Sequence, residues 1–191
     1  MTGGILARPV ILETERLILT TWEDGDDLAL TRLHDTPEAS LYVGNGIPWD
    51  RDYAMGRIEG WRAEFDRRGV ATLKLVEKDS GAFIGRAGIN WYEDDGAHQL
   101  VYSIVRQAWG RGFATEIAGA LTDWFFANTK AEHLEAMAHQ DNHASLSVLS
   151  KIGMTETGIR LVRGEPCRFF EIRRDQLLER AKVSPSRSPT S

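Results

Sequence analysis

The sequence predicts an α/β (α+β) fold, a single domain in which one mixed, mostly antiparallel sheet of about seven strands is flanked by about four helices. Three observations carry that expectation. Short runs of β-forming residues alternate with runs of helical period in the order β-α-α-β-β-β-α-β-α-β-β. Gly, Asp, Asn and Pro punctuate nearly every junction between them. No internal repeat or long linker divides the 191 residues, a length that suits one domain with a sizeable core.

The elements follow in order. Arg16 to Trp22 (Arg-Leu-Ile-Leu-Thr-Thr-Trp) is short and β-rich, and reads as the first strand. Asp24 to Asp27 supplies a cap and N-terminal acids for a helix through Leu28, Leu30 and Leu33. Gly44, Asn45, Gly46 and Pro48 mark a loop. A second helix begins at Asp50, carries Tyr53, Met55, Ile58, Trp61 and Phe65, and stops at Gly69. Strands are predicted over Ala71–Glu77 and Ala82–Trp91, joined by a turn at Asp79, Ser80 and Gly81, and over Gln99–Val105. The longest helix spans Gly112 to about Asn128, apolar at Ile117, Ala120, Leu121, Trp124 and Phe125. A strand at Leu134–Ala138, a helix from His143 to Lys151 ended by Gly153, and a strand pair at Thr155–Val162 and Arg168–Ile172 close the domain. The domain is set at residues 13–180, with 1–12 an N-terminal extension and 181–191 a disordered tail, Ser/Pro/Thr-rich from Ser184.

Composition narrows the function. Hydrophobic residues make up 42% and charged residues 27% of the chain, a balance typical of a soluble globular protein. No apolar run is long enough to cross a bilayer, and Met1 to Pro9 lacks the pattern of a secretory signal. One cysteine, Cys167, allows neither an intramolecular disulfide nor a thiolate metal cluster and fits a cytoplasmic protein. A net charge of -5 argues against a nucleic-acid partner. The expectation is therefore no membrane, no nucleic acid and no metal.

The most informative segment runs from Tyr102 to Glu116, where a strand enters a long helix through a loop with two glycines. A helix N-terminus presents unpaired N–H groups and partial positive charge, an anion site. Gly110 and Gly112 let a phosphate approach the backbone, Ala114 is small, and Thr115 adds a hydroxyl. Between Gly96 and Thr115 there is no Asp or Glu, while Arg106 and Arg111 are both present. A plain strand-to-helix turn fits the glycines equally well. Two alternatives fit worse: an NTPase loop lacks its Gly-Lys-Ser/Thr, and a dinucleotide fingerprint lacks a third glycine, Thr115 standing in its place.

Gln107-x-x-Gly110-x-Gly112 followed by Ala114 resembles the acyl-CoA signature of GNAT acetyltransferases, and Trp-Gly-Arg-Gly-Phe-Ala-Thr-Glu resembles their RimJ/RimL-like, ribosomal-protein N-acetyltransferase branch. A second match follows at Asp141 to Met154, which is similar to the family's Asn-x-x-Ser-x-x-Val-Leu-x-Lys-x-Gly-Phe with Met154 in place of the aromatic residue. Glu-Thr-Glu-Arg-Leu-Ile-Leu and Phe-Ile-Gly-Arg-Ala-Gly also fit, so the likeness covers Glu13 to Leu178. It implies a sheet splayed between its fourth and fifth strands, with pantetheine entering the gap against Ile104 and Val105. Arg106, Gln107, Gly110, Arg111, Gly112, Phe113, Ala114 and Thr115 then wrap the pyrophosphate of acetyl-CoA. The same resemblance assigns Asn142 to the pantetheine arm, though Asn142 also suits a helix cap.

The resemblance implies an acetyl-CoA-dependent N-acetyltransferase that acts by direct transfer on a primary amine, either a protein N-terminus or a small molecule, as a monomer or homodimer. The usual tyrosine acid is replaced by Leu149, so Ser145 is the candidate for protonating or hydrogen-bonding the leaving sulfur. Oxyanion stabilisation falls to a backbone N–H near Val105. Gln99 stands where relatives often carry Glu. Glu93, with Asp94 and Asp95, and Tyr102 are the alternative proton acceptors, and His139 reads as structural. Tyr42, Trp49 and Trp91, with Trp61, are candidates for the acceptor pocket, although aromatic residues at such spacing also build cores. A non-catalytic acyl-CoA-binding or sensing protein is the alternative that Leu149 and Gln99 leave open; a nucleotide-binding regulator would want a different loop.

Overall fold

The computed structural model describes residues 9–183; the tail expected at Ser184–Ser191 and most of the N-terminal extension lie outside the described residues. Two short strands, β1 (Val10–Glu13) and β2 (Leu17–Thr20), lead into helices α1 (Asp27–Leu33), α2 (Pro37–Ser40) and α3 (Arg51–Arg68). Strands β3 (Thr72–Glu77), β4 (Phe83–Tyr92) and β5 (Ala97–Ile104) form a meander that ends in a 3₁₀ turn, Arg106–Ala108, before α4 (Phe113–Asn128). Then come β6 (His133–His139), α5 (His143–Lys151), β7 (Thr155–Val162), β8 (Glu165–Arg173) and α6 (Arg174–Val183). The strands form one sheet in the order β1-β2-β3-β4-β5-β6-β8-β7, antiparallel except where β5 meets β6. Among the described residues no helix is long and apolar enough to cross a membrane.

Among the described residues there are eight strands, where about seven were expected, and six helices, where about four were. The additions are elements with weak sequence signals. β1 is a four-residue edge strand that begins inside the expected N-terminal extension and pairs with β2. One turn of helix makes α2, started by Thr36, whose hydroxyl accepts from Ala39 N–H, and by Pro37. The third addition, α6, is charged and shows little apolar periodicity. By contrast α3 keeps its expected signals: the Asp50 carboxylate caps Tyr53 N–H, and the helix ends at Gly69. The first cap differs. Asp26 precedes α1 but makes no capping bond; its carboxylate goes to Lys74 and to Glu23 N–H.

Cross-strand register sorts the residues of the central strands onto two faces. One row joins Leu73, Ala87 and Tyr102, and these pack in the main core with Phe113, Ile117, Leu121 and Phe125 of α4. Spacings of four residues along α4 keep that stripe on one side, and Ile117 and Phe125 are fully buried. Each such side chain contributes about 1.5–3 kcal/mol by leaving water. The next row joins Thr20, Lys74, Arg86 and Ser103. It lies on the other face, under α1 and α3, where Trp22, Leu30, Leu33, Trp49, Ala54, Ile58 and Trp61 form a second core.

Candidate active site

The sheet is open where β5 and β6 meet. Their register is a single pair, Gln99 with Glu135, and beyond it the strands separate along Val101 to Ile104. Backbone N–H groups alternate in direction along a strand. Val105 N–H donates to Ile84 C=O at 2.9 Å, toward β4, so the N–H groups of Tyr102 and Ile104 are turned to the gap. The free donor near Val105 is therefore that of Ile104, while the N–H of Val105 is engaged. Its carbonyl is engaged too, accepting from Ala108 N–H at 2.9 Å, so Val105 acts as the start of the turn rather than as a free backbone contact. Ile104 C=O accepts from the indole N–H of Trp109 at 2.7 Å.

The loop that follows is shaped for an anion. Gly110 (φ 74°) and Gly112 (φ 81°) both take left-handed conformations that disfavour a side chain. Gly112 also stands at the N-cap of α4, where it has no side chain to satisfy the first helical N–H groups. Phe113, Ala114 and Thr115 therefore present unpaired N–H groups at the positive end of a 16-residue helix. Two guanidiniums lie over the buried Phe113 ring, Arg111 at 4.4 Å and Arg16 at 4.6 Å. Arg111 is ion-paired with Glu77, whose carboxyl is held below its ordinary value by Ser80 and Arg111. Arg16 was not singled out from the sequence. It donates to Arg111 C=O at 2.9 Å and pairs with Glu116, which also accepts from Thr14. Hydrogen bonds from Thr14 and Arg16 keep Glu116 ionised against the opposing effect of burial. The first acid after the loop is thus already neutralised. Arg106 and Gln107 are exposed on the 3₁₀ turn at the mouth of the loop.

On the opposite wall of the gap two candidates meet. The Tyr102 hydroxyl lies 2.9 Å from Ser145 Oγ and 3.3 Å from Ser145 C=O. Burial pushes the Tyr102 phenol up to about 12, with the Ser145 contact pulling weakly the other way, so the phenol keeps its proton at neutral pH. In this setting the protonated Tyr102 phenol donates to Ser145 C=O. Ser145 sits in the first turn of α5, where Asn142 Oδ1 accepts from Ser145 N–H at 3.1 Å. The cap reading of Asn142 is realised, and the cap fixes the Ser145 backbone beside Tyr102.

Other candidates are placed less centrally. Glu93 lies in the β4–β5 turn, at the end of β5 remote from the loop; its side chain is 69% exposed and ion-paired with Arg68. Trp49 is 7% exposed in the second core against His34, Tyr53 and Trp61 rather than free to line a pocket. Trp91 lies under Arg68 and edge-on to His98. Tyr42 does approach the site: it stacks on His139 at 5.1 Å, and its hydroxyl donates to Asp141 C=O at 3.5 Å, beside the α5 cap. A carboxylate the sequence reading passed over is nearer the gap. Glu135, paired in register with Gln99, has one carboxylate oxygen buried without a hydrogen-bond partner, with Arg160 at 4.0 Å. Its position on the strand after the long helix was the available signal, hidden because a single Glu in an alternating strand looks like a solvated face.

An open parallel junction beside an uncapped helix N-terminus leaves backbone donors free for an extended, anionic ligand between two strands. Gap-facing N–H groups, a glycine-lined turn and a helix N-terminus together form an anion-binding surface. The comparisons with known proteins agree. A family profile described as "Acetyltransferase (GNAT) domain" matches residues 16–155. The chain is 27% identical over 150 residues to "Uncharacterized N-acetyltransferase p20" of Bacillus licheniformis, covering 78% of this chain and 84% of that one. Among solved structures, the acetyltransferase from Agrobacterium tumefaciens C58 superposes with a TM-score of 0.75 at 26% identity, over 91% of this chain and 99% of that one. Mycobacterium smegmatis RimJ in complex with CoA-disulfide superposes at 0.69 and 21% identity, over 84% and 83% of the two chains. This chain belongs to the GNAT acetyltransferase family, has RimJ among its structural neighbours, and is an acetyltransferase.

Proposed function

We propose that the protein transfers an acetyl group from acetyl-CoA directly to a primary amine held in the same complex. The observation that carries this reading is the Tyr102–Ser145 pair on the wall of the β5–β6 gap. In this mechanism the neutral amine attacks the thioester carbonyl carbon, the C–S bond breaks, and the amide forms. The amine loses a proton, and the sulfur leaves as a thiolate that is finally protonated. One gap-facing N–H, that of Tyr102 or of Ile104, hydrogen-bonds the carbonyl oxygen as charge builds. The Tyr102–Ser145 hydroxyls hydrogen-bond the sulfur. A phenol near 12 does not surrender its proton readily to a thiolate whose acid lies at about 8.5, so these hydroxyls stabilise charge rather than fully protonate it. Glu135, on the other strand of the opening, is the candidate to receive the amine proton, directly or through water.

The cofactor placement is tested by Gly112→Glu. A side chain there is strained at φ 81° and brings negative charge to the helix N-terminus. Wild-type protein should be stabilised by acetyl-CoA but not by ATP or NAD, by about 2.7 kcal/mol at 100 times the dissociation constant. The variant should lose that melting shift. An unchanged shift in Gly112→Glu would remove the pyrophosphate from this loop.

A further inference from the structure

Among the described residues, one buried cation under α1 and α3 has no anion. Arg86 is 8% exposed, and its Nε donates to His34 Nε2 at 3.1 Å. Its guanidinium carbon lies 5.5 Å from the Trp49 ring centroid and 5.4 Å from that of Trp61. Other cations of this face are matched: Lys74 by Asp26, Arg51 by Asp27, and Arg62 by Asp24. Among the described residues no carboxylate pairs with Arg86. His34 cannot serve as the counter-charge, because burial first and Arg86 second hold its pKa down to about 3, leaving it neutral. Burial first and Arg57 second lower Arg86 itself to about 10, still protonated at neutral pH. The two rings offer a partial counter-charge but no hydrogen-bond acceptor.

Arg57 compounds the excess. Its guanidinium carbon lies 4.9 Å from the Trp61 centroid, and it lines an open cleft of about 280 Å³ between α3 and β4. Gly56 and Gly60 bare the α3 side of that cleft; a Cβ on either would meet nothing within 4 Å. The indole nitrogens of Trp61 and Trp91, both cleft residues, are buried donors without partners. The one carboxylate lining the cleft, Glu64, is ion-paired with Arg67 and Arg68, and its buried Oε1 accepts no hydrogen bond. Arg57 and the indoles of Trp61 and Trp91 give the cleft more donors than Glu64 and Asn90 can answer, which favours a ligand group that accepts.

The cleft lies at the Asn90–Tyr92 end of β4 and does not include Arg86, which stands nearer the gap on the face that α1 and α3 cover. Arg86 is opposite Ser103 on β5, one residue from both Tyr102 and Ile104, and the other face is filled by α4. We propose that Arg86, with Arg57, binds a carboxylate on the acyl acceptor, so that the substrate is an amine carrying its own carboxylate, an amino acid or a short peptide with a free C-terminus. A planar guanidinium held between aromatic rings presents two parallel N–H donors, the match for a carboxylate. This assignment rests on the acetyl-transfer reading above.

The test compares matched acceptors: free amino acids and dipeptides against their C-terminal amides, with aminoalkyl phosphates against amino alcohols as a second arm. Wild-type protein should prefer each acid over its amide by about ten- to a hundred-fold in kcat/KM, mainly through KM. Arg86→Gln should bring that ratio to about one with its acetyl-CoA melting shift intact, and Arg86→Lys should restore part of it. Equal use of acid and amide by the wild type overturns the proposal, as does a folded Arg86→Gln that still discriminates. Should Arg86→Gln not fold, Arg57→Gln decides, and an undiminished ratio there overturns it. Preference for phosphates over carboxylates overturns the carboxylate assignment. If no amine is acetylated, the transfer reading fails by itself, and the melting shift produced by each acid and amide with CoA present then decides the anion site.

Discussion

The face of the sheet under α4 is built from Leu73, Ala87, Ile89 and Leu100 against Ile117, Leu121 and Phe125, with Tyr102 the polar exception at the edge of the gap. The face under α1 and α3 carries Lys74, Arg86, Thr72 and Asn90 beneath a cap of tryptophans. The first face is held by area removed from water, tolerant of chemistry but not of volume. The second is held by pairwise matching, in which each buried polar group needs a named partner. The difference divides the labour: the apolar face fixes the strand and helix that form the anion loop, and the polar face leaves one charge and one cleft for a ligand.

The largest expected effect breaks the apolar side of this comparison. Phe125 is fully buried, 5.0 Å from the His98 ring and 5.4 Å from Phe126. Phe125→Ala should cost about 3–5 kcal/mol, a large part of a stability of about 5–15 kcal/mol. Urea unfolding measures it. A loss under 1 kcal/mol would mean that α4 is not seated by this core, and the placement of its N-terminus would fall with it.

The same division explains what the sequence disclosed. Periodicity at Ile117, Leu121 and Phe125 and the Gly110–Gly112 turn were visible because burial by area leaves a pattern. The meeting of Tyr102 with Ser145 was half visible: each was named separately, and only register and the α5 cap bring them together across 43 residues. Arg86 was quoted merely as part of a strand. Its distinction is a missing partner, and absence of a counter-charge leaves no mark in one dimension. Trp49 failed the other way, because an aromatic residue beside a loop reads the same whether it lines a pocket or, as here, closes a core. Short elements such as α2 and β1 escaped because four residues carry too little pattern.

A middle effect sharpens the boundary between the faces, where Tyr102 leaves the core and reaches Ser145. Tyr102→Phe keeps the ring and removes the donor, so kcat should fall about a hundred-fold with acetyl-CoA binding intact. The loss should be largely non-additive with Ser145→Ala, since the two hydroxyls act as one pair. Full activity in Tyr102→Phe would leave Ser145 to act alone on the sulfur.

The smallest effect probes the polar face through pH. His34 is completely buried, and its pKa is held down to about 3 against about 6.5 in an unfolded chain. The folded value is the depressed one, so the unfolded state binds the extra proton between these limits. Stability from this residue is complete above about pH 6.5 and is lost as pH falls toward 3, by at most about 1.4 kcal/mol per pH unit. His34→Gln preserves a hydrogen-bond acceptor for Arg86 Nε without the titration, so its stability should vary less with pH than the wild type's between pH 6.5 and 4. Carboxylates held low, such as Glu77 and Glu116, add their own loss at the acid end, and they do so equally in both proteins. The difference between the two curves therefore isolates His34. Parallel curves would mean that His34 accepts a proton in the fold. Arg86 would then face a second positive charge instead of a neutral acceptor, and the polar face would need an anion in its structure even before substrate arrives.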